Sequence, residues 1–197
     1  IAGWNSLHPV FSELITRTKP KVIIEVGTWL GASAINMARL SAEYSTKIYC
    51  VDHWIGASGS LTKQDAESYP LHRDKHHCPQ LYYHFLTNVA AAGFQDRIVP
   101  VQFTTRHAAR LLYWKDIRAD MIYIDAGHEE IDVFEDIGFF WPLLAPGGVM
   151  FGDDYPVEGA TQAQYAGVAK AVARAAEEMS ATHRLEIQKE KWILFPR

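Results

Sequence analysis

Five short apolar runs, each leading into a segment of helical periodicity, constrain this chain more than any other feature. "KVIIEV", "KIYCV", "RIVPVQF", "DMIYI" and "GVMF" carry apolar side chains at consecutive positions, as strands buried on both faces must. Between and around them apolar residues recur at helical spacing. The stripes are Leu7, Val10, Phe11, Leu14 and Ile15; Ser33 to Leu40; Leu81, Phe85 and Val89; Ala108 to Leu112; Val133, Phe134, Ile137 and Trp141; and Tyr165 through Val168, Val172 and Ala175 to Met179. Asn5 or Ser6 is placed to cap the first helix and Pro20 to close it. Gly93 and Pro142 end two others. Pro100 cannot donate to a ladder, so the third strand belongs at a sheet edge. "RLEIQ" and "KWILFP", joined by a tight turn, finish the chain as an antiparallel hairpin. The pattern predicts an α/β, doubly wound, Rossmann-like sheet with a mostly parallel core, in one domain spanning residues 1–197.

Periodicity fails between Ile55 and Pro79, a polar stretch rich in Gly, Ser and His. Its length marks a functional insert, read here as a lid over a ligand. Trp54, Tyr69 and His72 are candidates to touch an acceptor, with Trp4 and His8 approaching from the N-terminal helix. "HRDKHHC", at His72 to Cys78, has no partner pair at zinc-site spacing, which favours the lid reading.

Composition excludes several function classes. A formal charge of −4 and a pI near 6.1 argue against nucleic acid as the main partner. No apolar run reaches the roughly 18–20 residues that span a bilayer, and no signal-peptide pattern opens the sequence. Cys50 and Cys78 form no disulfide framework, so a reducing, cytoplasmic setting is expected.

In doubly wound sheets ligands sit beyond the carboxyl ends of the strands. After the first strand come Glu25, Gly27, Thr28, Trp29 and Gly31. Glycines there let the backbone approach a ligand, and the next helix presents free N–H groups. Asp52 ends the second strand about 20 residues on, where an acid can accept hydrogen bonds from ribose hydroxyls. Together these suggest an adenosine-containing cofactor. The glycine spacing departs from G-x-G-x-x-G, which counts against a nicotinamide dinucleotide. A nicotinamide-dependent oxidoreductase and a non-catalytic cofactor-binding domain remain the competing readings.

"EVGTWLG", "VDHW", "IDAGH" and "LLAPGGVMFGDDY" resemble the successive signature segments of class I S-adenosylmethionine-dependent methyltransferases. The resemblance is greatest to the metal-dependent small-molecule O-methyltransferases, catechol-type and macrocin-type, and runs from about Pro20 to Phe195. It implies seven strands in the order 3-2-1-4-5-7-6 with strand 7 antiparallel. It also implies that Glu25, Gly27, Thr28 and Gly31 line the methionine part of S-adenosylmethionine and that Asp52 holds its ribose. Thr104 or Thr105, with Arg106, would meet the adenine. Asp125 would face the cofactor and take part in catalysis.

In that order the fourth and fifth strands are neighbours about 4.8 Å apart, so Asp125 and Asp153 can converge, with Asp154 beside them. Three such carboxylates repel one another unless protons or a cation intervene. The resemblance implies that Asp125, Asp153 and Asp154 ligate a metal, and an all-oxygen set suits Mg²⁺ first, then Mn²⁺ or Ca²⁺. His128 is a general base, a further ligand, or the cap of the helix opening at Glu129. The expected acceptor is a hydroxyl of a small molecule, a phenol or a sugar. Whether the chain forms a homo-oligomer stays open.

Overall fold

The computed structural model describes residues 6–56, 74–76, 78–157 and 165–197. Its elements are α1 (Pro9–Thr18), β1 (Val22–Val26), α2 (Ala32–Leu40), β2 (Lys47–Asp52), α3 (Leu81–Ala91), β3 (Ile98–Gln102), α4 (Thr105–Trp114), β4 (Ala119–Ile124), α5 (Glu130–Phe140), β5 (Leu144–Gly152), α6 (Ala166–Glu178), β6 (His183–Gln188) and β7 (Lys191–Pro196). The strands form a seven-stranded sheet in the order β3-β2-β1-β4-β5-β7-β6. β7 runs antiparallel to both of its neighbours. Pro100 lies in edge strand β3, in register with Cys50 of β2, so its missing N–H costs no ladder bond to a second neighbour. No helix among the described residues is long and apolar enough to cross a membrane.

The two-residue period of the strands divides the core. Ile23, Ile48, Met121, Tyr123, Phe151, Ile193 and Phe195 face α1, α2 and α3. Ile24, Val51, Ile122, Ile124, Met150, Trp192 and Leu194 face α4, α5 and α6. The same alternation carries Glu25, Asp125, Asp153 and Lys191 toward the α1 side, because each lies two residues from an inward-facing neighbour on that side.

Several local expectations change. Leu7 is 76% exposed and precedes α1, which neither Asn5 nor Ser6 caps. The cap is His8, whose Nδ1 accepts from the Val10 N–H at 3.2 Å. Pro9 starts the helix because its absent N–H would be unpaired there anyway. α4 extends well beyond Ala108–Leu112, from Thr105 to Trp114. Pro146-Gly147-Gly148 lies inside β5, not ahead of it, as a bulge: Ala119 pairs with Leu144, whereas Met121 pairs with Val149. Gly147 takes the positive φ of 79° that such a bulge demands. Most of the expected lid at 55–79, including Tyr69 and His72, and also Trp4, lies outside the described residues.

Candidate active site

Backbone ties bring the strand ends to one level. Gly27 N–H donates to Val51 O, Asp125 N–H to Val26 O, and Asp153 N–H to Ile124 O. Gly27 has φ 86° and lies so close to the end of β4 that a Cβ would fall 2.0 Å from the Asp125 carbonyl oxygen. Only glycine fits there.

At the β1–β2 end the acids are consumed by the chain itself. Glu25 is fully buried. Its carboxylate accepts from Thr28 Oγ1 at 2.9 Å and from Ser33 Oγ, with Cys50 Sγ 3.5 Å away. Burial pushes its carboxyl up to about 7, against the hydrogen bonds from Ser33 and Thr28. Glu25 therefore braces the loop from inside, and Thr28, 3% exposed, spends its hydroxyl on that brace. Both were expected against the cofactor; their side chains instead shape the loop that would meet it. Gly31 caps α2 in the left-handed conformation. Asp52 accepts from the backbone N–H of Trp29 at 2.8 Å through one oxygen and of Trp54 at 2.7 Å through the other. Each carboxylate oxygen has a second lone pair, so a ribose hydroxyl can still donate to it. Trp54 is 2% exposed and packs on Tyr82 and Phe85, so its ring belongs to the core.

The adenine-side residues differ in what they do. Thr104 is exposed, with Oγ1 2.8 Å from His107 Nδ1. Thr105 opens α4 and hydrogen-bonds the buried Asp136, whose carboxyl burial pushes up to about 7. Arg106 is exposed and lies over the Phe139 ring.

At the β4–β5 mouth the acids meet side-chain donors. His128 Nε2 lies 2.8 Å from Asp154 Oδ2, and its ring stands edge-on to Tyr165. Asp154 reaches it because its backbone is left-handed, φ 58°, a conformation that aspartate tolerates. The residue capping α5 is Glu129, so His128 is not the cap. The Asp154 hydrogen bond raises the His128 pKa above its ordinary value, while burial opposes it.

Beneath this pair lies a network that sequence reasoning missed. Lys191, fully buried, makes an ion pair with Asp153 Oδ2, and its Nζ lies 3.2 Å from the Tyr123 hydroxyl. That hydroxyl donates to Asp125 Oδ2 at 2.8 Å. The other oxygen of Asp153 accepts from the Asp154 N–H. Burial, with the neighbouring Asp153 and Asp154 charges, pushes Asp125 up to about 7. Burial also raises Asp153, and Lys191 pulls it back. The alternation of "KWILF" was visible in the sequence, but its register was not: β5 and β7 pair Phe151 with Ile193 and Gly152 with Trp192. One step further sets Asp153 opposite Lys191.

The donor set bears directly on the implied metal. Asp153 shares its carboxylate with an ammonium, so a divalent ion on the same carboxylate would sit near a fixed positive charge. At about 4 Å and an effective dielectric of about 20, that repulsion is about 4 kcal/mol per unit charge on the ion. Asp125, Asp153 and Asp154 as a ligand triad do not fit. Asp125, His128 and Asp154 do bring one ligand atom each within 4.8 Å, and an ion there would have to displace the hydrogen bond between His128 and Asp154.

Comparisons agree with the fold. The family described as a methyltransferase domain matches residues 24–155. Among solved structures, a Staphylococcus aureus protein assigned as a caffeoyl-CoA O-methyltransferase superposes with a TM-score of 0.65 at 16% identity, over 100% of this chain and 85% of that one. The methyltransferase PaMTH1 of Podospora anserina, bound to SAH, gives 0.64 at 12% identity over 95% and 76%. A Bacillus cereus O-methyltransferase in complex with SAH gives 0.63 at 16% identity over 100% and 82%. No curated protein matches the sequence. By the family match and by a sheet order shared with class I methyltransferases, this chain belongs to the methyltransferase-domain family.

Proposed function

We propose that the protein is an S-adenosylmethionine-dependent O-methyltransferase acting on a hydroxyl of a small molecule, a phenol or a sugar. The observation that carries this is the His128–Asp154 pair at the β4–β5 mouth, on the same sheet edge as the glycine loop and Asp52. When bound, the cofactor supplies a methyl group on a positively charged sulfur. The chain's own groups do the rest. Gly27 and Gly31 let the backbone lie against the cofactor, and Asp52 accepts from its ribose.

His128 acts as the base. With Nε2–H donating to Asp154, the neutral ring keeps an unprotonated Nδ1 that takes the acceptor's hydroxyl proton. Asp154 would then stabilise the imidazolium, and the freed oxygen would take the methyl group that the cofactor supplies. Asp125, held by Tyr123, would face the cofactor at this mouth. No step is assigned to a metal ion. The low cysteine content and the charge balance favour action in the cytoplasm on a small molecule.

Calorimetric titration with S-adenosylhomocysteine tests the cofactor half, and a screen of catechols and sugars with labelled S-adenosylmethionine tests the acceptor half. Saturable one-to-one binding with label transferred to an acceptor oxygen is expected. A protein that binds NAD(H) and not S-adenosylhomocysteine would overturn the reading.

A further inference from the structure

We propose that the Lys191 ammonium is the resident cation of the strand-end carboxylates, so that this site works without a divalent metal, and that Lys191 positions Asp125 through Tyr123. The inference rests on the methyltransferase reading only for its turnover measurement; ion binding tests it separately.

Three features carry it. Lys191 is fully buried, and its Nζ reaches two polar partners, the Asp153 carboxylate and the Tyr123 hydroxyl. The rings of Phe11 and Tyr123 lie 5.5 and 5.3 Å from the same nitrogen, their faces favouring a cation. A buried ammonium is tolerated only when paired in this way.

The groups are also connected. The Tyr123 hydroxyl lies 2.8 Å from Asp125 Oδ2 and 3.3 Å from Asp153 Oδ2, and toward Lys191, whose ammonium has no lone pair, it can only accept. The hydroxyl thus stands between the ammonium and the Asp125 carboxylate.

Finally, Lys191 has little room to retreat. Gly152 faces Trp192 so closely that a Cβ there would fall 2.4 Å from the indole, and Trp192 to Phe195 are all buried. β7 is therefore pressed against β5 with Lys191 at its head. A buried ion pair that merely fastened β7 to β5 would account for the burial. It would not predict that removing the ammonium opens a site for a metal ion.

Mn²⁺ alone is the probe, followed by its paramagnetic resonance signal on the protein with no other ligand added. Wild-type protein is expected to bind no Mn²⁺ below millimolar concentration, and its turnover is expected to be unchanged by chelator. Lys191→Met is expected to bind one Mn²⁺ at least about tenfold more tightly than wild type, and adding Asp125→Asn should abolish that gain. Stoichiometric Mn²⁺ binding by wild type that disappears on Asp125→Asn would overturn the proposal, as would turnover lost to chelator. A folded Lys191→Met protein that binds Mn²⁺ no better than wild type would also overturn it. If Lys191→Met does not fold, the wild-type measurements decide alone.

Discussion

The two mouths of the sheet use the same residue types in opposite ways. At the β1–β2 end, Glu25 and Asp52 take hydrogen bonds from hydroxyls and backbone N–H groups. At the β4–β5 end, Asp153 and Asp154 take theirs from a lysine and a histidine. Hydroxyl and backbone N–H donors make a carboxylate a brace, because they hold the loop in one shape. Imidazole and ammonium partners make it part of an electrostatic device, because an imidazole can accept a proton and an ammonium holds negative charge in place. Acids at strand ends are thus ambiguous until their donors are known.

The comparison breaks most visibly at His128. His128→Asn should lower kcat by about 10²–10⁴ on an acceptor found in the screen, with S-adenosylhomocysteine affinity by calorimetry unchanged. A parallel loss of cofactor affinity would mean that the two mouths do not act separately. Next in size, Glu25→Ala leaves the Thr28 and Ser33 hydroxyls without their acceptor around a new cavity. Urea denaturation should show a loss of about 2–4 kcal/mol; a loss under about 1 kcal/mol would show that Glu25 is no brace.

Asp52→Ala should weaken S-adenosylhomocysteine binding about tenfold with little change in acceptor KM. Equal affinity in mutant and parent would remove Asp52 from the ribose. The smallest effect is a change of slope. Glu25 stands at about 7 when folded, above its ordinary 4.5, so the folded state holds the proton more tightly than the unfolded chain does. Its contribution is most favourable below about 4.5 and is lost as pH rises through about 7. Glu25→Gln should flatten melting temperature against pH across that window, and two parallel curves would show that Glu25 titrates normally.

Much of the scaffold is legible before any coordinates. The edge position of Pro100 follows from a missing N–H, the closing hairpin from two alternating runs around a tight turn, and the strand-end positions of Asp52, Asp125 and Asp153 from where the apolar runs stop. The start of α1 is less legible, because Leu7 fits the stripe by spacing while His8 and Pro9 set the boundary. Glu25 sits in a signature loop, and its burial shows only once α2 and β2 close over it. Asp154 follows Asp153 by one residue, yet a left-handed turn sends it to a different partner.

Short-range chemistry, then, lies within the sequence by itself: period-two and helical patterning, glycines where the backbone must turn, acids where strands end. These depend on a residue and its few neighbours along the chain. The partners of those acids lie outside that range. Lys191 is 38 residues beyond Asp153 in the numbering, and the two meet only because β7 inserts antiparallel beside β5 and brings the last side chain of the register into a buried corner. There an ammonium must find a carboxylate, and that requirement of burial, absent from the extended chain, made the strand-end acids a paired electrostatic site.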